Sequence, residues 1–308
     1  MNAYKDDAVL CAIGSAADSR NIDVYVVGGY VRDFLLGKNV KDTDIVVVGN
    51  GIEFAKNVGA ALGIAPPVLF ENFGTAMLMI ESRKVEFVGA RKESYSKTSR
   101  KPVVASGTLE EDLSRRDFTV NAMAASLRKE TFGSLIDPFG GQSDLRDKIL
   151  RTPLEPETTF DDDPLRIMRL MRFAAQLNFK IEPGALHAAK AMASRLSIVS
   201  QERISDEFMK IMACPQPSIG FALLHETGVL EKIFPELAQM EGVEQREEYH
   251  HKDVFRHTLQ VVDKTAEASD NLWLRMAALL HDIGKPKTKA FKEGTGWTFH
   301  GHNEVGAR

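Results

Sequence analysis

Cysteine, long apolar runs and a strong net charge are all scarce in this chain of 308 residues. The two cysteines, Cys11 and Cys214, match no metal-site spacing, which excludes a cysteine-based metal centre and is typical of a reducing compartment. No apolar stretch is long enough to span a bilayer, and the polar residues 1–7 do not resemble a signal peptide. We therefore expect a cytoplasmic protein that has no membrane partner.

The net charge of -4 gives no overall indication of nucleic-acid binding. Basic residues are nevertheless crowded between positions 91 and 101, where the chain has Arg91, Lys92, Lys97, Arg100 and Lys101. This segment is either a loop that contacts a substrate backbone or an ordinary solvated loop. Apolar residues make up 44% of the chain, which is enough for two or more globular domains.

A double glycine follows the first strand-like stretch at 24–27. Gly28 and Gly29 precede a short helical segment, so backbone N–H groups at this turn can cradle phosphate oxygens. Arg32 adds a cation on that segment. This arrangement is typical of a site that holds a nucleoside triphosphate.

Two aspartates open the next strand. Asp42 and Asp44 are two residues apart, and side chains at i and i+2 of a strand point to the same side. Both carboxylates can therefore bind the same hard cations, and two Mg²⁺ ions are expected. Taken alone, such a pair is more often a set of turn residues, but the glycine turn upstream favours the metal site.

Strand-like stretches at 24–27, 45–48, 76–80 and 85–88 alternate with helical patterns, and strands are expected to cease after about Ile136. The predicted fold class is α+β, with a small head built on a mixed sheet with flanking helices and an all-helical remainder. In the 85–88 stretch, alternation points Glu86 away from its apolar neighbours. Glu86 is either a third carboxylate beside the aspartates or an exposed strand residue.

Two further polar segments could contact a nucleotide. Arg115 and Arg116 precede Asp117, and paired arginines beside an acceptor suit a triphosphate and a ribose hydroxyl, although a helix-start salt bridge is the alternative. Asp163 and Arg166 share one helix face, where an acceptor and a donor could read the similar edges of cytosine and adenine. The alternative for Asp163 is a helix cap.

These motifs together resemble the bacterial class II tRNA nucleotidyltransferase and poly(A) polymerase family, the CCA-adding enzymes, over about residues 24–230. The resemblance implies catalytic residues Asp42, Asp44 and Glu86, of which the two aspartates bind metal. The nucleotide-binding residues that it implies are Gly28, Gly29, Arg32, Arg115, Arg116, Asp117, Asn121, Asp163, Arg166 and Arg169. One departure is Asp162, where the family often has glutamate.

A second signature lies downstream. His257, followed by the adjacent pair His281 and Asp282, resembles the metal site of the HD phosphohydrolase superfamily, and imidazole with carboxylate suits a divalent transition metal or Mg²⁺. Packed core residues are the alternative. His300 and His302 either join this site or form a polar turn. Because the chain stops at Arg308, before the further aspartate of that superfamily, we expect the HD domain to be truncated.

The resemblance implies three domains: a catalytic head at 1–140, a helical neck and body that binds nucleotide and RNA at 141–245, and the start of an HD domain at 246–308. The expected activity is addition of CMP and AMP to the 3′ end of tRNA from CTP and ATP, with release of pyrophosphate. A poly(A) polymerase, an enzyme that adds only CC or only A, an HD-type phosphohydrolase and a non-catalytic RNA-binding protein are the alternatives. The sequence does not indicate the oligomeric state.

Overall fold

The structure, a computed structural model, describes residues 3–40, 42–71, 74–94, 103–247, 250–294 and 296–308. Lys97, Arg100 and Lys101 of the predicted basic loop lie outside these ranges. The chain divides into two compact units, Met1–Glu155 and Pro156–Arg308. Within the described ranges, no helix has the length and apolar character needed to cross a lipid bilayer.

The first unit is built on a large sheet. Its strands in this unit are β1 (Val24–Val27), β2 (Asp42–Val47), β3 (Val68–Phe70), β4 (Thr75–Ile80), β5 (Arg83–Gly89), β6 (Arg91–Ser94), β7 (Val103–Ser106), β8 (Ala124–Ser126), β9 (Leu135–Ile136) and β10 (Ile149–Leu150). Seven of them form one mixed sheet in the order β3-β4-β5-β2-β1-β8-β9, and β6 pairs with β7 separately. Within the large sheet, β2 and β5 are parallel and the other neighbouring pairs are antiparallel.

Five α-helices flank this sheet. They are α1 (Ala8–Arg20), α2 (Gly29–Leu35), α3 (Gly51–Leu62), α4 (Leu109–Ser114) and α5 (Gly141–Asp147), with short 3₁₀ helices at Ala3–Asp6, Thr119–Asn121 and Lys129–Thr131. Their starts are fixed by side chains, because a cap satisfies N–H groups that have no partner within the helix. Asp7 caps α1, Asn50 caps α3, and Thr108 forms a capping box with Glu111 at α4.

The two faces of the large sheet have different neighbours. On one face, Phe87 of β5 packs against Phe54 of α3, with ring centroids 6.0 Å apart. The opposite face is covered near β1 by the side chain of Leu113 on α4, which belongs to a buried cluster with Val27 and Val46. This second face also carries the predicted metal-binding aspartates.

The second unit is mainly helical. Its helices are α6 (Pro156–Asp162), α7 (Leu165–Leu177), α8 (Pro183–Ala191), α9 (Gln201–Met212), α10 (Pro217–Glu226), α11 (Leu230–Ile233), α12 (Pro235–Ala238), α13 (Val254–Ala268), α14 (Leu272–Leu280), α15 (Lys285–Thr288) and α16 (His302–Gly306), with a 3₁₀ helix at Ala193–Ile198. Its short strands are β11 (Lys180–Ile181), β12 (Glu244–Glu247), β13 (His250–Asp253), β14 (Ala290–Lys292) and β15 (Gly296–Thr298).

The predicted α+β class is confirmed, but the expectation that strands cease after about Ile136 is wrong. β12 pairs with β13, and β14 pairs with β15, as antiparallel hairpins in the second unit. The β14–β15 hairpin turns at Gly294 and Gly296, which both have positive φ. Strands this short carry too few apolar residues to show a period of two, so the sequence pattern alone did not reveal them.

A buried arginine joins the ends of two helices in this unit. Arg275 of α14 is only 3% exposed. Its guanidinium donates to the carbonyl oxygens of Met212 at 3.0 Å and Cys214 at 3.1 Å, beside the end of α9. It also donates to those of Ala266 at 3.2 Å and Ser269 at 2.9 Å, at the end of α13. These are carbonyls that a helix terminus leaves unsatisfied, and the positive charge suits them.

Candidate active site

Three carboxylates share one face of the large sheet. Thr43 between the two aspartates is buried, whereas Asp42 is exposed and Asp44 partly exposed, so both aspartates point to the face opposite Thr43. Asp44 lies directly beside Glu86 in the parallel pairing of β2 with β5. The predicted alternation is therefore present, and it places Glu86 next to the aspartate pair.

The electrostatics of this cluster favour a bound cation. Burial raises the pKa of the Asp44 carboxyl, and the nearby charges of Glu86 and Asp42 raise it further, while Arg116 opposes the shift. A cation would remove the cost of holding these negative charges together. All the donors are carboxylate oxygens, which are the ligands that Mg²⁺ prefers.

Glu86 has a protein partner in this structure, because its carboxylate pairs with the Lys84 ammonium two residues away on the same face. The hydrogen bond and charge of Glu86 raise the pKa of Lys84. In the part of the chain that the structure describes, the carboxylate oxygens of these three residues do not all lie within 4.8 Å of one another. Glu86 must exchange Lys84 for a metal if it is to be a ligand.

The glycine turn before α2 is held against an arginine. Gly28 has a φ of +68°, a conformation that side chains rarely adopt, and its N–H donates to the carbonyl of Met123 at 3.1 Å. A Cβ atom built on Gly28 would lie 2.7 Å from Nη1 of Arg116. Only glycine allows the guanidinium to lie this close to the backbone. Gly29 begins α2.

Arg32 stabilises this turn through hydrogen bonds to neighbouring side chains. It is 5% exposed, and its Nε and Nη2 donate to the Asp33 carboxylate, each at 2.8 Å. Nη1 donates to Oδ1 of Asn121 at 2.6 Å, and Nδ2 of Asn121 donates to Asp117 at 3.0 Å. One series of hydrogen bonds behind the Gly28 turn thus links Asp33, Arg32, Asn121 and Asp117.

Asp112 is a functional candidate that the motif analysis did not single out. Its buried carboxylate accepts from Arg115 at 2.6 Å and from Arg116 at 3.1 Å. Burial opposes ionisation, but the two arginines outweigh it and lower the pKa of Asp112. The signal was available in the sequence, because an acid three and four residues before two arginines shares a helix face with them.

Arg116 has one more feature that fits a ligand. Its Nε is buried and has no hydrogen-bond partner among the residues that the structure describes. A buried donor of this kind normally finds an acceptor, so its position beside Gly28 and near Asp44 suits an anionic group bound at the turn.

The predicted base readers lie in the second unit. Oδ1 of Asp163 accepts from the N–H of Leu165 at 3.2 Å, and Oδ2 accepts from Arg203 at 2.7 Å. The N-cap position of α7 is occupied by Pro164 and not by Asp163. Arg166 donates from Nη1 to the carbonyl of Thr159 at 3.1 Å. Both side chains are partly exposed, and a role in reading bases stays a prediction.

Arg169, one turn further along α7, faces the same way and is also partly exposed. Its Nη1 lies 3.9 Å from the Glu207 carboxylate. Glu207 is buried and pairs more closely with Arg172, whose Nε donates to it at 2.5 Å. These ion pairs join α7 to α9 and fix the helix that carries the predicted base readers.

The predicted HD residues converge. His257, His281 and Asp282 each offer a ligand atom, and these atoms all lie within 4.8 Å of one another. Nδ1 of His281 is 2.8 Å from the carbonyl of Ala278, an interaction that orients the ring and leaves Nε2 toward Asp282 at 3.1 Å. The packed-core alternative does not explain a cluster in which His281 is exposed.

Two more side chains contact Asp282. Nζ of Lys285 donates to its Oδ2 at 2.7 Å, and Nε2 of His302 lies 3.6 Å from Oδ1. Burial opposes ionisation of Asp282, but hydrogen bonds from His281 and Lys285 prevail and lower its pKa to about 2. Of the two downstream histidines, His302 therefore lies beside the site, and His300 is exposed.

Three family profiles match successive parts of the chain. Residues 24–151 match a profile described as "Poly A polymerase head domain", and residues 178–241 match "Probable RNA and SrmB- binding site of polymerase A". Residues 254–308 match the "HD domain". The fold and site thus define a polymerase-type nucleotidyltransferase head joined to helical RNA-binding and HD regions. The matches do not fix the three predicted domain boundaries, which stay predictions.

Individual relatives of this chain have names that agree with the family profiles. The chain is 38% identical over 293 residues to a "Multifunctional CCA protein" of Nitrosococcus oceani, covering 92% of this chain and 68% of the relative. It is 38% identical over 280 residues to an "A-adding tRNA nucleotidyltransferase" of Aquifex aeolicus, covering 87% of this chain but 32% of the relative. The chain thus spans about a third of the Aquifex protein and 62% to 68% of the multifunctional CCA proteins that it matches.

A solved structure is similar in fold. It is described as a "tRNA nucleotidyltransferase complexed with a primer tRNA and an incoming ATP analog", is 34% identical, and matches with a TM-score of 0.70 over 87% of this chain and 75% of that chain. The chain belongs to the tRNA nucleotidyltransferase and poly(A) polymerase family, which confirms the resemblance predicted from its motifs. Membership of this family, together with the HD cluster, implies dependence on divalent metal ions.

Proposed function

We propose that this chain transfers CMP and AMP from CTP and ATP to the 3′ end of tRNA and releases pyrophosphate. The observation that carries the proposal is that Asp42, Asp44 and Glu86 share the partly exposed face of β2 and β5, where Asp44 lies directly beside Glu86. The glycine turn and Arg116 lie beside that face, and the electrostatic environment of Asp44 favours a cation. The Aquifex relative and the similar solved structure are tRNA nucleotidyltransferases, and the Nitrosococcus relative is a multifunctional CCA protein.

Asp42 and Asp44 would hold two Mg²⁺ ions, with Glu86 as a further ligand once it releases Lys84. Bound there, such ions activate the attacking hydroxyl and stabilise the leaving pyrophosphate. The carboxylates would keep the metal ions at one edge of the site. Thr43, between the two aspartates, is buried on the opposite face of the strand.

Gly28, Gly29, Arg115 and Arg116 would hold the triphosphate in line for attack. The backbone at the turn approaches the phosphates without a side chain between them, and Asp112 fixes both arginines. Arg32 would act indirectly and not by contacting the phosphates, since its N–H groups donate to Asp33 and Asn121. It shapes the turn that binds the phosphates.

Asp163 and Arg166 would read the base of the incoming nucleotide, with Arg169 beside them. An acceptor and a donor three residues apart match the donor and acceptor that cytosine and adenine both present. Asp117 would contact the ribose, in a position that Asn121 fixes through a 3.0 Å hydrogen bond.

We propose that the chain is divided into three domains: the head at 1–140, the neck and body at 141–245, and the HD region at 246–308.

The proposal is tested by replacing Asp42 with asparagine. Because the amide keeps the shape but loses the charge that binds the cation, we expect kcat for nucleotide addition to fall about a thousandfold, the effect of losing several kcal/mol of charge stabilisation. Incorporation of radiolabelled CMP and AMP into tRNA that lacks its 3′ end measures this. Glu53→Gln, on the exposed side of α3, is the matched control. Normal turnover by Asp42→Asn would refute the assignment.

An enzyme that adds only A is a second candidate, because one relative at 38% identity is named for that activity. CTP alone, ATP alone and both together, supplied with tRNA ending before or after CC, separate the possibilities by product length. Addition of A only to tRNA ending in CC would favour the second candidate. A long ATP-only tail would indicate a poly(A) polymerase.

A further inference from the structure

We propose that the outer half of the head sheet, formed by Val68, Phe70, Met77 and Met79, is a shelf that binds the last bases of the RNA strand being extended. This proposal rests on the proposed function, and it adds a binding surface for the acceptor strand. The four side chains lie on β3 and β4, beyond the carboxylates and at the edge of the sheet.

Strand register connects the shelf to the carboxylates. Asp44 lies beside Glu86 of β5, Glu86 lies beside Met77 of β4, and Met77 lies beside Val68 of β3. Registered neighbours in a sheet point to the same face, so these four side chains form one row across four strands. Three strand spacings amount to roughly 14 Å, which is the rise of about four stacked nucleotides.

A parallel row of side chains lies on either side of this one. Asp42 lies beside Lys84, and Lys84 lies beside Met79. On the other side, Thr75 of β4 lies beside Phe70 of β3. In the two rows that begin at Asp42 and Asp44, polar residues near β2 give way to an apolar residue farther out, so a strand of RNA whose 3′ hydroxyl is at the carboxylates would continue over apolar side chains. The row that ends at Phe70 begins instead with Val46 and Val88.

The shelf is exposed although it is apolar. Met79 is 54% exposed, Val68 52% and Phe70 43%. The intervening residues of β4, Ala76, Leu78 and Ile80, are buried on the opposite face, where α3 packs against Leu78. Large apolar side chains left open beside a polar site usually mark a binding surface.

The chemistry of the shelf suits nucleobases. Its four residues have no side-chain hydrogen-bond groups, so they can contact the flat face of any base without reading its edge. An enzyme that adds C, C and then A meets the last base of the unextended tRNA at the first step and a cytosine at the next two steps, so it needs such tolerance. Lys84, whose side chain is 49% exposed, supplies a positive charge next to Met79 for the phosphates between those bases.

The test uses Met79→Ser and Val68→Ser, with Leu62→Ser as the matched control, since Leu62 is an equally large exposed residue at the end of α3. Each is exposed, so the substitutions leave the core intact. We expect each shelf variant to raise KM for an RNA primer by about 5-fold to 100-fold, the effect of losing contact with one base. KM for CTP and ATP should not change, and Leu62→Ser should match the wild type.

A primer whose terminal nucleotide is abasic provides the second arm. If the shelf binds that base, the wild type should lose affinity for the abasic primer and the shelf variants should lose little more, because both changes remove the same contact. Equal KM values for the intact primer in wild type and variants would overturn the proposal. So would a change of oligomeric state in Met79→Ser without a change of KM, which would identify a protein interface.

Failure of the proposed function would be seen separately. If the wild type adds no nucleotide to any primer, the enzymatic assignment fails, and binding of the same RNA is then measured directly by fluorescence anisotropy. Weaker binding by Met79→Ser and Val68→Ser than by Leu62→Ser would still support the shelf. Identical binding by all three variants would overturn it.

Discussion

At the scale of single residues, Gly28 and Gly37 both have a positive φ but differ in what surrounds them. Their φ angles are +68° and +66°. A Cβ on Gly37 would meet no atom within 4 Å, whereas one on Gly28 would meet the Arg116 guanidinium. The comparison therefore separates the general cost of a side chain at positive φ from the need for space beside Arg116 at the proposed phosphate-binding turn.

Gly37→Ala should lower the free energy of unfolding by about 1 kcal/mol, because an L side chain is strained at positive φ, and it should keep normal nucleotide addition. Gly28→Ala is also strained, at a φ of 68° and a ψ of -126°, and it displaces Arg116 as well, so we expect kcat/KM to fall by at least about tenfold more than in Gly37→Ala. Urea unfolding and primer-extension kinetics on both variants measure this. Equal activity in the two variants would contradict the role of Arg116.

At the scale of secondary structure, α7 and α9 are joined by a buried ion pair. Glu207 is 2% exposed and pairs with Arg172, and this interaction outweighs burial and lowers its pKa from an ordinary value of 4.5. Removal of one partner leaves the other charge buried and unpaired, which is costly. Arg172 also lies 3.9 Å above the Phe173 ring, so its position is fixed from two sides.

Glu207→Gln should therefore lower the free energy of unfolding at pH 7 by about 3 kcal/mol. Because the folded pKa of Glu207 is lowered, its stabilisation is complete above about 4.5 and is lost as the pH falls through the folded pKa. The wild type should consequently lose more stability than Glu207→Gln between pH 5 and pH 3, as measured by urea unfolding. Glu202→Gln, exposed on the same helix, is the control and should follow the wild type.

Much of the head was predictable at this scale, and the limits have physical causes. β1 coincides with the predicted stretch 24–27, and β2 begins at Asp42, as predicted for a strand that the two aspartates open. The apolar stretch itself covers only 45–48, because propensity disfavours aspartate in strands, and both aspartates are held in β2 by pairing with β5. The Lys84 partner of Glu86 and the exposed shelf likewise depend on register between strands distant in sequence.

At the scale of the whole molecule, the HD cluster predicts a dependence of stability on metal. A ligand that binds only the folded chain stabilises it by about 2.7 kcal/mol at a hundred times its Kd. Mn²⁺ should therefore raise the unfolding temperature of the wild type, and EDTA should reverse the change. Asp282→Asn, compared with its own metal-free state, should gain less from Mn²⁺ than the wild type does, because one ligand of the HD cluster is gone while the proposed metal site of the head is unchanged.

His300→Asn is the matched control for that experiment, since His300 is exposed, lies two residues from His302 and is not in the converging cluster. It should keep the wild-type response to Mn²⁺. An unchanged unfolding temperature in the wild type over millimolar Mn²⁺ would show that His257, His281 and Asp282 do not form a working metal site.

The single guanidinium of Arg275 has a mechanical consequence for the second unit. It ties the end of α9, inside the RNA-binding match, to the end of α13, inside the HD match. Rotation of these two regions against each other would break several buried hydrogen bonds of Arg275 at once. We therefore expect the two regions on either side of this border to move together as one body.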